Sequence, residues 1–186
     1  MKLLAIDPGN EKSAFAILNN GVLGLFGKFD NFTLLQLVRG KVAPWDSTHC
    51  AIETLEPRGM PTSFEEMQTQ LWAGRFYEAW AVTRGDQTPQ QVFRHAVKMH
   101  HCGKTTANDS NIRAALIDRY GGETKAIGGK RCKQCKGRKL IGRQKMTCPS
   151  CEGSGWWYPP GPLHGVSADV WQALALGLYA LDRAEK

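Results

Sequence analysis

The chain has 186 residues, 42% of them hydrophobic, with a formal net charge of +7 and a mean hydropathy of −0.37. Such a length suits one domain with a full core and a small embedded module, and excludes a linker or a coiled coil. No apolar run approaches the roughly 20 residues of a membrane helix, and the N-terminus enters a strand pattern at once, without the basic and apolar regions of a signal peptide, so the expected compartment is the cytoplasm.

Residues 2–6 form a short apolar run closed by Asp7-Pro8-Gly9, which ends a first strand on a carboxylate. A buried Asp is costly unless it is paired, hydrogen-bonded or bound to a metal; the alternative role here is to cap the turn before Pro-Gly. Residues 14–18 read as a second strand, and Asn19-Asn20-Gly21 is a hairpin signal leading into a third strand over 22–29. A helix follows over 32–38, ended near Gly40 and Pro44. The run His49-Cys50-Ala51-Ile52-Glu53 then repeats the first pattern, a short apolar strand terminating in an acid. Cys50 reads as an ordinary buried thiol, with neither a base nor a second ligand beside it in sequence.

Residues 54–61 are a loop by composition, and Thr62 or Ser63 caps a helix over 64–82. Its Leu71, Trp72, Phe76, Ala79 and Trp80 fall on one side at 3- and 4-residue spacing, a core stripe with a subunit interface as the alternative. Residues 91–97 alternate well enough for a strand, and 98–104 follow as a basic loop holding His100, His101 and Cys102. Adjacent side chains rarely converge on one ion, so phosphate contacts or plain surface fit that loop better than a metal. Residues 108–120 form a helix with Ile112, Ala115, Leu116 and Ile117 on its apolar side and Gly121-Gly122 as its stop. The last helix, 167–183, carries Val170, Trp171, Leu174, Ala175, Leu178 and Leu181, with Asp169 and Gln172 near its start.

The basic character is concentrated. Lys125, Lys130, Arg131, Lys133, Lys136, Arg138, Lys139, Arg143 and Lys145 lie in one stretch with no Asp or Glu among them, which points to a nucleic-acid partner. The same stretch holds two C-x-x-C knuckles, Cys132/Cys135 and Cys148/Cys151, with twelve residues between them. Four thiolates on two tight turns surround one ion tetrahedrally, the geometry of a structural Zn²⁺ site, and four cysteines leave no open position for catalysis. A redox C-x-x-C would stand alone, and paired disulfides would be out of place in a reducing cytosol. Each knuckle, Cys-x-x-Cys-x-Gly, resembles half of the zinc centre of DnaJ-type co-chaperones, though only two knuckles are present. The basic residues around them make the module a candidate DNA clamp.

Asp7 and Glu53 each end a strand and Asp169 lies in the first turn of the last helix. If those ends converge, three hard oxygen donors select Mg²⁺ or Mn²⁺, and two such ions support phosphodiester hydrolysis. On Ala5-Ile6-Asp7-Pro8-Gly9, Ala51-Ile52-Glu53 and residues 167–175, the chain resembles the RuvC-type Holliday-junction resolvases of the RNase H-like superfamily. Val97-Lys98 and residues 103–112 look like the basic loop and helix that precede the last motif. The resemblance covers most of the chain outside residues 125–163 and looks like a viral or prophage-type variant.

That resemblance implies an α/β fold with a mixed sheet flanked by helices. It implies a nuclease domain over 1–124 plus 164–186, interrupted by a zinc module over 125–163. It further implies a homodimeric endonuclease that nicks branched DNA symmetrically, leaving a 5′-phosphate and a 3′-hydroxyl. Asp7, Glu53 and Asp169 would hold the metals, Lys98 and Lys104 would touch the DNA backbone, and helix 64–82 would form the dimer interface. Two departures from the family pattern stand out. Gln172 occupies the place of a second acid three residues after Asp169, with His164 a candidate to compensate, and Asp109 stands where a basic residue is usual. Gln172 also motivates the competing reading, a non-catalytic zinc-containing DNA-binding protein on the same fold. An actin-like kinase, which also bears an Asp before Gly after its first strand, needs two large domains, for which this chain is too short.

Overall fold

The computed structural model describes residues 1–40, 43–56, 59, 61–85, 87–142 and 144–184. In chain order its elements are β1 (Lys2–Asp7), β2 (Lys12–Asn19), β3 (Val22–Asp30), α1 (Asn31–Arg39), β4 (His49–Thr54), α2 (Phe64–Thr83), β5 (Gln90–Phe93) and α3 (Arg94–Cys102). There follow α4 (Asp109–Arg119), α5 (Glu123–Ala126), β6 (Gly128–Arg131), β7 (Leu140–Ile141), β8 (Met146–Thr147), β9 (Trp156–Pro160) and α6 (Val170–Ala184). They form two compact units, Met1–Arg113 with Val166–Lys186, and Ala114–Gly165.

The larger unit is built on a five-stranded mixed sheet of order β3-β2-β1-β4-β5. β1, β2 and β3 are an antiparallel meander. Its second turn, between β2 and β3, uses Asn20 and Gly21 at φ 48° and 79°, the left-handed pair a two-residue hairpin requires. β4 runs parallel to β1, and β5 parallel to β4. Period-two alternation sorts the central strand between two layers. Leu4 and Ile6 join Phe15, Ile17, Cys50 and Ile52 in a core closed by Leu34, Leu35 and Val38 of α1 and Trp72, Phe76 and Trp80 of α2. Leu3 and Ala5 face the other way, under α6. A Cβ built on Gly177 would lie 2.4 Å from Leu18 Cδ1 and 3.2 Å from Ala5 Cβ, so only glycine lets α6 settle this close. Among the described residues no helix is long and apolar enough to cross a membrane.

Four sequence expectations are corrected. The strand over 91–97 stops at Phe93, because β4 ends at Thr54, its partner in register, and no neighbour remains to continue the ladder. Residues 94–102, expected as strand and then loop, are helical instead. That turn buries Val97, and His101 Nε2 reaches Ala175 O of α6 at 2.8 Å. In α2 the buried stripe is Trp72, Ala73, Phe76, Ala79 and Trp80, and Leu71, roughly 100° round the helix from Trp72, is 55% exposed. The last helix begins at Val170 and not at Ser167, so Asp169 precedes it and accepts the first intrahelical bonds, from Gln172 N and Ala173 N, on its carbonyl.

The smaller unit pairs β6 with β9 and β7 with β8, both antiparallel. Its buried centre is the four cysteines, with Ile141 packed against them.

Candidate functional site

Asp7 takes the same face as Leu3 and Ala5, since it is two residues beyond Ala5 on β1. Glu53 likewise follows Ala51 on β4, away from Cys50 and Ile52. The β1–β4 register runs through Ile6↔Ile52, so Asp7 and Glu53 are the next pair, on neighbouring parallel strands about 4.8 Å apart. Both therefore lie on the α6 side of the sheet, at the C-terminal ends of parallel strands where α/β folds place their ligands.

A small polar network fixes the turn after Asp7. Gly9 N donates to Ser13 Oγ (3.2 Å), Ser13 Oγ donates to Asn31 Oδ1 (2.6 Å), and Asn31 Nδ2 donates to Gly9 O (2.9 Å) and Asn10 O (3.2 Å). Ser13 and Asn31 are buried, so this network is rigid support for the strand end. Gly9 is required there, because a Cβ would sit 2.4 Å from Lys12 O.

Burial first, and then the neighbouring charge of Glu53, push the Asp7 carboxyl well above the usual carboxylate range; Arg94 and Lys28 pull against this without reversing it. Glu53 is raised as well, chiefly by burial, with Arg94 as its main counterweight. Arg94, the first residue of α3, donates from Nη1 to Glu53 Oε1 at 3.0 Å and from Nη2 to Asp109 Oδ1 at 2.7 Å. Asp109, the acid out of place in the sequence comparison, thus anchors the guanidinium that faces Glu53.

Asp169 stands on the third side, and its charge acts on Asp7. Lys28 of β3 forms an ion pair with it. Ala168, just before it, has φ 46°, a left-handed conformation that a non-glycine residue seldom adopts and that recurs at functional sites. Gln172, only 5% exposed, shares a cavity of about 460 Å³ with Asp109, Arg113, Ser167, Asp169 and Trp171. The Arg113 guanidinium lies 5.5 Å from the Trp171 ring centroid. The carboxylates form a looser set than the cysteines: among the described residues the cysteine quartet is the group whose donor atoms all fall within 4.8 Å of one another. The outer two acids are drawn to Arg94 and Lys28, one each.

The remaining sequence candidates are placed as follows. Lys98 lines a small cavity with Glu53, Arg94 and His95, and Lys104 is exposed beyond the end of α3. His100 and His101 hold Asp182 Oδ2 (2.7 Å) and the Ala175 carbonyl, which uses them structurally on α6. His164 belongs to the smaller unit, where its ring lies where a Cβ on Gly129 would be, 2.3 Å from Cε1.

In the smaller unit Cys132 and Cys148 sulfurs are 3.8 Å apart and those of Cys135 and Cys151 3.6 Å. A tetrahedral ion with metal–sulfur bonds of about 2.3 Å would set its ligands about 3.8 Å apart, so the quartet fits such an ion. The knuckles repeat each other in backbone. Lys136 and Gly137 follow Cys135 at φ 51° and 83°, and Glu152 and Gly153 follow Cys151 at 48° and 78°. Gly155 N donates to Cys151 Sγ at 3.3 Å, a bond that favours thiolate. Lys130, Arg131, Lys133, Lys136, Arg138, Lys139 and Lys145 are exposed, and Arg143 lies outside the described residues.

Sequence reasoning missed Lys28, Arg94, Ser13 and Asn31. Arg94 carried a signal, as the basic residue at the end of a strand parallel to the two that end in acids. Lys28 and Asn31 carried none, for their partners lie 141 and 18 to 22 residues away in sequence.

No protein-family model matches the chain, and no curated protein matches it in sequence. By fold it is similar to Thermus thermophilus RuvC, with a TM-score of 0.54 at 12% identity over 100% of this chain and 96% of that one. It is also similar to T. thermophilus RuvC in complex with a Holliday junction substrate, with a TM-score of 0.58 at 13% identity over 99% and 94%. The fold is RuvC-like, the mixed α/β architecture that the sequence motifs implied.

Proposed function

We propose that this RuvC-like chain is a metal-dependent endonuclease that cuts branched DNA, four-way junctions foremost, by symmetrical nicks in a homodimer. The observation that carries the reading is the pair Asp7 and Glu53 at adjacent strand ends, desolvated and mutually repelling, with Asp169 as a third acid beside them. Burying like charges this way is unfavourable for a fold alone and is what a hard divalent cation relieves.

Asp7, Glu53 and Asp169 are the residues that would hold Mg²⁺ or Mn²⁺, and those ions would supply charge neutralisation at the scissile phosphate and an acidified water. Arg94 orients Glu53 through its fork to Asp109. Lys28 steadies Asp169, and the buried Gln172 offers an amide to a phosphate or water in the cavity beside it. Lys98, Lys104 and the basic residues of the smaller unit bind DNA backbone. Cys132, Cys135, Cys148 and Cys151 hold structural Zn²⁺. The exposed side of α2, with Phe64, Met67 and Leu71 at 66%, 53% and 55% exposure, is the dimer face.

The test is cleavage of a synthetic four-way junction beside a matched linear duplex, with Mg²⁺ or Mn²⁺, by the wild type and by Asp7→Asn. Paired nicks across the junction that disappear in Asp7→Asn are expected. A second reading, a DNA-binding protein without catalysis, is favoured by Gln172 standing where the resemblance implies an acid. Junction binding without cleavage in either metal would establish it and end the nuclease reading.

A further inference from the structure

The smaller unit, Ala114–Gly165, carries ten Lys and Arg against three Asp and Glu, which equals the net charge of +7 of the whole chain and leaves fourteen of each elsewhere. A four-cysteine centre needs neither that charge nor exposed aromatic rings, yet the β6–β9 pair displays both, the charges on β6 and the rings on β9. It reads Trp156-Trp157-Tyr158-Pro159-Pro160, and Trp157 and Tyr158 are 52% and 36% exposed. β6 pairs with it as Lys130↔Tyr158 and Arg131↔Trp156, with a register shift between the two. Trp157 is thus the extra residue of a bulge, the device by which a strand re-aims one side chain out of the pleat. Lys130 Nζ lies 6.0 Å from the Tyr158 ring centroid, opposite it in register. Pro159 and Pro160 have no N–H to donate, so this end of β9 is poorly suited to recruiting a strand from a protein partner.

We propose that the β6–β9 ribbon is a base-stacking site for unpaired DNA. Trp157 and Tyr158 receive the faces of unstacked bases, and Lys130 and Arg131 hold the adjoining phosphates. Duplex DNA does not offer this chemistry, because its base faces are already stacked; a strand opened at a branch point does. This deepens the proposed function by naming the form of DNA the smaller unit grips. It rests on DNA being the partner and not on cleavage.

The experiment uses the full, zinc-loaded chain in buffer without added Mg²⁺ or Mn²⁺. Labelled oligo-dT and a blunt duplex of equal length are titrated, and binding is followed by fluorescence anisotropy over a range of salt. Trp157→Leu and Tyr158→Leu keep apolar bulk and remove the aromatic face; each is expected to weaken oligo-dT binding by about ten-fold or more while leaving duplex binding within about two-fold. Trp157→Phe is expected to restore most of the oligo-dT affinity. Lys130→Ala should flatten the salt dependence by roughly one unit of slope for a lost phosphate contact. Zinc content and far-UV circular dichroism of each variant are measured alongside, so that loss of the fold is recognised.

Equal losses on oligo-dT and duplex, no loss in Trp157→Leu, or a Trp157→Phe variant as weak as Trp157→Leu would each overturn the proposal. Junction cleavage in Mg²⁺, assayed separately, keeps the two readings apart. Cleavage with aromatic-independent binding ends only the stacking site. Stacking without cleavage ends only the nuclease.

Discussion

Replacing Asp7 by Asn should make the protein more stable when no divalent cation is supplied, not less. The carboxyl sits at the end of a rigid central strand, and burial together with Glu53 raises its pKa above the usual range. Its folded pKa therefore exceeds the unfolded value of about 3.9. Such a group favours the fold fully below that value, and the contribution disappears as pH rises through the folded pKa. Above the unfolded value folding must either desolvate the anion or take up a proton, so the carboxyl opposes folding near neutral pH, and Asn has the same shape without the charge. Relieving one strained site of this kind typically returns about 0.5–2 kcal/mol. A chain of this size shifts its Tm by about 2–4 °C per kcal/mol, so Asp7→Asn should melt about 1–8 °C higher. Thermal unfolding of the zinc-loaded protein, followed by circular dichroism, measures this. The gap should be widest at neutral pH and should close towards pH of about 4. Millimolar Mg²⁺ should raise the wild-type Tm and leave Asp7→Asn unmoved, because only the wild type gains a ligand by folding. A variant that melts at or below the wild type at neutral pH without Mg²⁺ would refute the reasoning. It would mean that Arg94 and Lys28 already compensate the charge.

Arg94→Ala strips Glu53 of its charge-assisted bond and should cost about 1.5–3 kcal/mol, read as a lower urea midpoint at unchanged m-value; Asp109→Asn should cost less, since Asp109 is the exposed end of the fork. Gly177→Ala drives a Cβ into Leu18 and should destabilise by about 1–3 kcal/mol, with Gly74→Ala, whose Cβ meets nothing within 4 Å, as the neutral or stabilising control on another helix. Cys132→Ser should reduce bound zinc, measured by atomic absorption, from one ion per chain to a weakly held fraction. Loss of ordered near-ultraviolet signal should accompany it, because the four cysteines are the buried centre of the smaller unit. Leu71→Arg, on the exposed side of α2, should convert a sedimenting dimer into monomer without lowering Tm by more than about 0.5 kcal/mol equivalent; a dimer of unchanged affinity would remove α2 from the interface.

How far the sequence speaks depends on whether a partner is local. The hairpin at Asn20-Gly21, the capped α2 and the two knuckles are all legible, because their determinants lie within a few residues of each other. The strand ends at Asp7 and Glu53 are legible too, since period-two alternation fixes the face and a repeated apolar-run-then-acid pattern marks both. The extension of β5 past Phe93 is misjudged for the opposite reason. Alternation in Gln91–Val97 mimics a strand, and only the length of β4, forty residues earlier, decides that the ladder stops. The three-residue shift at the start of the last helix, from Ser167 to Val170, has the same origin. Asp169 is held out of the helix by left-handed Ala168 and by Lys28 from β3, neither of which a helical pattern reveals.

The division of charge gives the two units different physical tasks. A cluster of acids repels the phosphates it would act on, and the larger unit meets this by balance: fourteen basic and fourteen acidic residues, with Lys28 and Arg94 set directly against the outer two carboxylates. It carries no net charge as a whole. The surplus positive charge, available to a polyanion, resides entirely in the smaller unit, whose buried centre is four cysteines and not an ionic core. Long-range attraction falls off steeply with salt, whereas the half-buried Asp7 and the buried Glu53 are screened less. Binding to DNA should therefore follow the smaller unit's lysines and arginines, and the acids of the larger unit should set what happens after binding. Separating these tasks lets Asp7 and Glu53 remain desolvated beside each other without weakening the affinity of the chain for a polyanion.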